Sequence, residues 1–397
     1  MKKALILGAG IVGCTMAHLL KKNGWKCTVI EKEQYVGGGC RTFFCGGHPY
    51  TRGPRPYYGY SEKIFNWIDS FVKMRRFPFS LLSYVEQDQR FYSYPIHEDD
   101  IPRMKESKRI YQELKKTQSD KKPNDFQEYW ISRVGPTLYR MFVDQYSKKM
   151  WLIDSNKELD TFAWSAKDNP INSGSKECYK GSIIGYPIDR FGYNSYFEKT
   201  LGANTLISGQ AVSGIDLKKR SVVFSGGRKV RGDVLISSIP IEELCNYCLG
   251  ELPYAGRDFI PFVLPCKQIF PDDIRFCHYT QGEPFTRIVE YKKLTFHKSQ
   301  DSLLVMEIPS RSNKLYPYMI KKHLNKAKEY LQSLPEKVYS IGRLGTYKYS
   351  TIEQTLWQCF SLFKKLTGKS IDGIEKELYN IGDTSLLSSR KSKQKRL

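Results

Sequence analysis

Acid is in short supply: 41 Asp and Glu stand against 63 Lys and Arg in 397 residues, a formal net charge of +22 at pH 7. The deficit points to anionic partners, and charge alone does not choose among nucleic acid, an anionic membrane face and a phosphorylated small molecule. Long apolar runs are missing as well. No stretch approaches the ~20 uninterrupted apolar residues of a membrane span, which excludes stable insertion. The ten cysteines lack regular spacing, excluding a disulfide framework and indicating a reducing compartment. The only CxxC, Cys245 to Cys248, has no second pair beyond Cys266 and Cys277-His278, so burial rather than zinc explains it. Internal repeats are absent too. Met1-Lys2-Lys3 with Ala4–Gly13 imitates an export signal, but its glycines follow another pattern and no small-residue cleavage site follows; a cytoplasmic protein is expected.

What is present describes a folded chain: 40% hydrophobic and 14% aromatic residues, 27 of them Tyr, over two to three times the length of a ~150-residue domain. Lys3–Leu7 is an apolar strand that runs into Gly8-Ala-Gly10-Ile-Val-Gly13, a helix with Met16, Leu19 and Leu20 in phase, and a second strand, Cys27–Ile30, ending at Glu31. A lone GxGxxG is weak evidence; strand, glycines, helix, strand and acid in order form a complete dinucleotide-binding unit, with Glu31 18 residues past Gly13. Gly8 permits the turn, Gly10 the approach of a pyrophosphate, and Gly13 close packing of helix on strand, while Glu31 accepts from ribose hydroxyls and disfavours a 2′-phosphate. A second cluster, Gly37-Gly38-Gly39-Cys40-Arg41-Thr42, lies directly behind the second strand. NAD has no need of it, whereas the longer reach of FAD does.

Residues from about 99 to 159 are charged and helical: Met104–Lys116, then Phe126–Val134 and Pro136–Trp151, with Leu138, Met141, Phe142 and Tyr146 on one face. Strands return at Thr205–Ser208, Ala211–Leu217, Ser221–Phe224 and from Asp233, with Leu303–Ile308 later. A helical stretch spans Ser312–Leu334, and the chain closes with a strand at Lys337–Ile341, a glycine turn and a helix at Thr351–Leu366. The fold class expected is α/β: an FAD-binding Rossmann-like domain (1–75, 187–250, 335–389), an inserted helical domain (98–162), a mixed or antiparallel sheet domain for substrate (76–97, 163–186, 251–334) and a basic tail (390–397).

Four strings in this order, the glycine-rich unit, Tyr146-Ser-Lys-Lys-Met-Trp151, Phe285-Thr-Arg-Ile-Val-Glu-Tyr-Lys292 and Gly342-Arg-Leu-Gly-Thr-Tyr-Lys-Tyr349, resemble the UDP-galactopyranose mutases over nearly the whole chain. The resemblance implies noncovalent FAD, active when reduced, with NAD(P)H as external reductant. It implies an isomerase that exchanges pyranose and furanose forms of a nucleotide-diphosphate sugar for cell-surface polysaccharide synthesis, with reduced flavin N5 as nucleophile at C1. UDP-galactose is the default sugar; a pentose such as UDP-arabinose, a deoxyhexose or an amino sugar stays open, as does a homodimer. By the same resemblance Arg287, Tyr179, Tyr316 and Tyr347 hold the diphosphate, Tyr146 and Trp151 the uridine, and Glu307 lines the sugar pocket. Lys32, Gly38, Gly39, Val212, Gly342 and Arg343 join Gly8, Gly10, Gly13 and Glu31 on the cofactor.

Three departures stand out. Members carry G-A-H-x-F-H where this chain has Gly53-Pro-Arg-Pro-Tyr-Tyr58, which puts Arg55 where a flavin-facing histidine is usual and adds it to the catalytic set with Arg287 and Tyr347. Lys167 replaces a mobile-loop arginine, and Ser350-Thr351 replace a tyrosine and an acid. Two other classes remain: a flavin amine-oxidase-like oxidoreductase, and a basic FAD-binding protein without activity.

Overall fold

The computed structural model describes residues 1–117, 123–160 and 171–371, so Lys167 and the basic tail lie outside it. Successive residues of the first strand, Lys3–Leu7, point to opposite sides, and both sides are apolar: Ala4 and Ile6 enter one core, Leu5 and Leu7 another. A strand buried on both faces belongs in a parallel sheet covered by helices. The strands run in the order Thr205–Ile207, Lys26–Ile30, Lys3–Leu7, Val234–Ser237 and Val338–Ser340, all parallel. Helices Ile11–Lys22, Asn194–Leu201 and Ile352–Thr367 cover one face; Ile241–Leu244 and Lys321–Ser333 contribute to the core on the other. This is the Rossmann-like unit expected from the glycine pattern.

The inserted helices are Ser107–Leu114 and Phe126–Tyr139, the latter continuing through a widened turn, Arg140–Asp144, into Gln145–Trp151. Gly135, at φ +78, breaks the second helix between Val134 and Pro136, where the sequence divides it. The Glu113 carboxylate closes the break by accepting from the Thr137 amide and hydroxyl, both at 2.8 Å, and so caps the new helix start.

The third layer is a seven-stranded mixed sheet in the order Tyr316–Pro317, Tyr254–Leu264, Ser302–Ser310, Arg287–Glu290, Ile274–Tyr279, Ser80–Val85 and Arg90–Tyr94. Neighbours are antiparallel except Ile274–Tyr279 with Ser80–Val85. The expected helical stretch from Ser312 begins only at Lys321. Pro317 disfavours helix for the residue before it and removes an amide, so Tyr316–Pro317 forms an edge strand instead. The boundaries drawn at 75 and 187 also do not follow the sheets. Ile183–Pro187 pairs with Tyr57–Gly59 and Met74–Arg76 in a small sheet that bridges the two larger ones.

That bridge is pinned by Glu353 of the last helix, 2% exposed, whose carboxylate accepts from the Tyr57 hydroxyl (2.5 Å), the Ser61 amide (2.8 Å) and the Tyr60 amide (3.0 Å). It anchors the strand that follows Arg55. Glu353→Ala orphans two buried donors and one half-buried donor and is expected to lower unfolding free energy by about 3 kcal/mol in denaturant titration.

Candidate functional site

The site grows from two glycine clusters. Gly8 is left-handed at φ +93, and a Cβ on Gly13 would lie 1.8 Å from the Gly8 carbonyl oxygen, so only glycine lets the helix reach the strand. Gly10 is different: a Cβ there would meet nothing nearer than 3.9 Å, and its neighbours are Gly37 and Gly38 of the second cluster. The Gly37 amide donates to the Ala9 carbonyl at 2.8 Å, which joins the clusters. No side chain caps helix Ile11–Lys22, so its first amides are left for an anion. Glu31 accepts from the Ala9 (2.8 Å) and Glu33 (3.1 Å) amides, bracing the loop and keeping lone pairs for ribose hydroxyls.

Lys32 is exposed beside Glu31, and half-buried Val212 follows Gly209, whose amide donates to the Glu33 carbonyl. At the other end Gly342, φ +85, packs on Val12, where a Cβ would come within 2.8 Å. Arg343 donates to the Leu315 (3.4 Å) and Ser350 (2.8 Å) carbonyls. The cradle runs from Glu31 past Gly10, Gly38 and Gly39 to Arg343. Its uncapped amides and its glycine surfaces fit FAD.

Beyond the cradle the seven-stranded sheet sets four polar residues in one row. Ser83 is opposite His278, His278 opposite Arg287, and Arg287 opposite Glu307. Directly opposed residues share a face. Arg287 and Glu307 form an ion pair at 2.5 Å. Every member keeps a buried polar atom without a partner: Ser83 Oγ, His278 Nδ1, Arg287 Nε and Glu307 Oε1. Unmet capacity of this kind is costly unless a ligand supplies the partners. At the Ser83 end opens a small cavity of about 30 Å³ lined by His278, Tyr146, Trp130, Phe142 and Ile96. Burial, assisted by Arg287, holds the His278 imidazole well below its ordinary value, so it is neutral.

Tyr316 is the hub. Arg257 and Arg343 lie 5.1 and 5.7 Å from its ring centroid, Tyr349 stacks on it at 6.1 Å, and Arg343 covers Tyr349 at 4.5 Å. Burial alone would raise the Tyr316 phenol, but Arg55, Arg287 and Arg257 outweigh it and draw it below the usual tyrosine value. Arg257 is 2% exposed and spends Nη1 on the carbonyls of Met150 (3.1 Å) and Gly256 (2.5 Å).

Of the residues expected from sequence, Arg287, Glu307, Tyr316, Tyr146 and Arg55 converge here. Tyr146 lies edge-on to His278 at 5.3 Å, with its phenol pushed up to about 12 by burial. Tyr179 packs on Tyr58 at 4.5 Å, with its hydroxyl toward Tyr94 and Tyr349. Two expectations are corrected. Tyr347 is fully buried, donates to the Pro253 carbonyl and accepts from the Tyr318 amide at 3.2 Å; its left-handed backbone, φ +50, reverses the chain, and Tyr349 reaches the hub instead. Trp151, 1% exposed, belongs to the helical core against Tyr318 at 5.8 Å, and Trp130 lines the cavity in its place. Sequence reasoning missed Arg257, Tyr349, Ser83 and His278; the one available signal was a charged pair, Arg257-Asp258, inside an apolar strand.

The family model described as UDP-galactopyranose mutase matches residues 141–349, and one described as NAD(P)-binding Rossmann-like domain matches 6–71. A dTDP-fucopyranose mutase of Escherichia coli is 25% identical over 370 residues, 88% of this chain and 94% of that protein. A probable UDP-galactopyranose mutase of Klebsiella pneumoniae is 24% identical, covering 89% and 92%. Among solved structures, a reduced UDP-galactopyranose mutase shares the fold with a TM-score of 0.80 at 17% identity, covering 93% of this chain and 96% of its own.

Two outcomes test the geometry. Gly10→Val leaves thermal stability near wild type yet strips bound flavin, read by absorbance, whereas Gly13→Ala destabilises the fold because its Cβ strikes the Gly8 carbonyl. For His278 the folded value lies below the unfolded 6.5, so the unfolded state binds the extra proton and stability is lost as pH falls through and below about 6.5. His278→Gln flattens that part of the stability profile, measured by denaturant titration from pH 7.5 to 5; an unchanged slope contradicts the assignment.

Proposed function

The chain belongs to the UDP-galactopyranose mutase family, a family of isomerases, and on that premise we propose that it exchanges the pyranose and furanose forms of a pyrimidine nucleotide-diphosphate sugar. The row Ser83, His278, Arg287, Glu307 carries this reading. It offers, in sequence, a neutral hydrogen-bonding pair beside an aromatic cavity, a cation and a carboxylate. A base, a diphosphate and a sugar present complementary chemistry in the same order.

In this reading Glu31, the glycine clusters and Arg343 hold FAD, which is active when reduced and is recharged by NAD(P)H. Bound and reduced, FAD supplies a nucleophilic nitrogen for the anomeric carbon. The protein's own contribution is electrostatic. Arg287 stays charged although burial opposes it, because Glu307, Tyr316 and Tyr146 outweigh the burial. It stabilises the diphosphate as negative charge develops on it, with Tyr316 and Arg257 alongside. Glu307 orients Arg287 and offers its unpartnered Oε1 to a sugar hydroxyl. The buried aromatics around the row keep water from the opened sugar. UDP-galactose is the default substrate, a 6-deoxyhexose on dTDP the second, and the furanose serves cell-surface polysaccharide synthesis.

Oxidised protein should be nearly inert, and one brief reduction by dithionite should support many turnovers without further reductant. One reductant or acceptor consumed per product would instead indicate an oxidoreductase. Arg287→Met should weaken nucleotide-sugar binding roughly ten- to a hundredfold, or about 1.5–3 kcal/mol, at unchanged FAD content. Calorimetry against UDP-galactose and a dTDP-deoxyhexose would separate the two sugars.

A further inference from the structure

Four guanidiniums surround Tyr316, and only one carboxylate is paired with any of them. Arg287 pairs with Glu307, while Arg55, Arg257 and Arg343 form no ion pair among the described residues. Three positive charges are left over. A nucleoside diphosphate sugar brings two negative charges on its diphosphate and Arg343 borders the cradle proposed for FAD, so one of these cations is left for a second anion.

The geometry identifies that cation. Arg343 commits both η nitrogens to backbone carbonyls, Arg257 commits Nη1 to two of them, and Arg287 commits Nη2 to Glu307. Arg55 makes one hydrogen bond among the described residues, from Nε to the Gly39 carbonyl at 2.9 Å, and its two η nitrogens stay uncommitted. It stands on the border of the two halves of the site. Gly39 belongs to the cluster that packs on Gly10 of the pyrophosphate loop, and on the other side Arg55 faces Tyr316, Tyr349 and Tyr291. Glycines flank the guanidinium: a Cβ at Gly39 or Gly53 would come within 3.9 or 3.6 Å of Nη2. The nearby Cys40 thiol, held protonated by burial against the pull of Arg55 and Arg343, supplies no negative charge.

Resting on the mutase reading, we infer that Arg55 is the counterion of the reduced flavin, holding it as the N1-deprotonated anion at neutral pH. Arg55 is a permanent charge at this border, so its effect does not depend on its own titration across the working pH range. Both its η nitrogens are uncommitted among the described residues, and the one bond that fixes the side chain goes to Gly39 of the glycine cluster that packs on Gly10. Both features assign it to the flavin rather than to the sugar nucleotide.

The test uses FAD-loaded full-length protein and the variants Arg55→Gln and Arg55→Lys. Gln keeps an N–H for the Gly39 carbonyl and removes the charge; Lys keeps the charge. The two-electron midpoint potential and the protonation of the reduced flavin, followed by absorbance against pH, are the readouts. Arg55→Gln should bind reduced flavin about tenfold less tightly relative to oxidised, a shift of about 30 mV to lower potential, and should raise the pH at which the reduced flavin protonates by about one unit. Arg55→Lys should retain most of both properties. If Arg55→Gln loses its flavin, the wild type still decides: its reduced flavin must be anionic at pH 7, and a neutral one overturns the inference. An unchanged potential together with a raised Kd for the nucleotide sugar would assign Arg55 to the diphosphate and also overturn it. Wild-type protein that takes up no FAD would instead sink the mutase reading.

Discussion

Buried positive charge in excess of buried acid is the condition to which the centre of this molecule is built. A guanidinium taken out of water is costly unless it is paired or hydrogen-bonded. The fold meets this by anchoring arginines on backbone carbonyls. Arg257 reaches Met150, in the last turn of helix Gln145–Trp151, whose carbonyls have no intrahelical donor. Arg343 reaches Leu315 and Ser350 in the same way. Three layers thus supply parts of one anion site, which explains why it lies where cofactor sheet, helices and substrate sheet meet. The anchoring also fixes the donors before any ligand arrives, the arrangement that makes electrostatic stabilisation effective.

The order of groups along the site is set by strand register. Across antiparallel pairs the register places Arg287 between His278 and Glu307. At the parallel pair the register shifts between Ile274 and Cys277, so that His278 faces Ser83; the Ile274 to Ser80 register continued without the shift would set Tyr84 there. A one-residue slip moves every side chain to the other face, and an irregularity is a common way to re-aim one beside a functional site. Here a single shift adds a neutral hydrogen-bonding pair to the end of a charged row.

The legible parts of the sequence were those whose signal is local. Gly8 and Gly13 must be glycines for reasons the first thirty residues already contain, a left-handed φ and a Cβ 1.8 Å from the Gly8 carbonyl oxygen, and the break at Gly135-Pro136 reads directly. The strand Ser80–Val85 carries no such signal, since its place is decided by a partner nearly two hundred residues away. Family strings located the C-terminal tyrosine pair but could not say which ring points inward; the positive φ of Tyr347 decides it, and backbone handedness at a non-glycine residue is invisible to composition. Trp151 poses the same problem, because the family string names it and only packing shows that it belongs to the core while Trp130 lines the cavity. Arg257 was missed because a lone arginine in a strand reads as surface.

Two departures from the family pattern change the charge of the site in the same direction. Arg55 adds a cation where a histidine is usual, and Thr351 removes an acid. Thr351 has its own local use: its hydroxyl accepts from the Gln354 amide while the Gln354 side chain returns to the Thr351 amide, a reciprocal cap on helix Ile352–Thr367. That helix carries Glu353 on its first turn, and Glu353 in turn holds the segment beginning at Tyr57, just after Arg55. The residue that replaces an acid therefore helps to position the added cation through two intervening contacts.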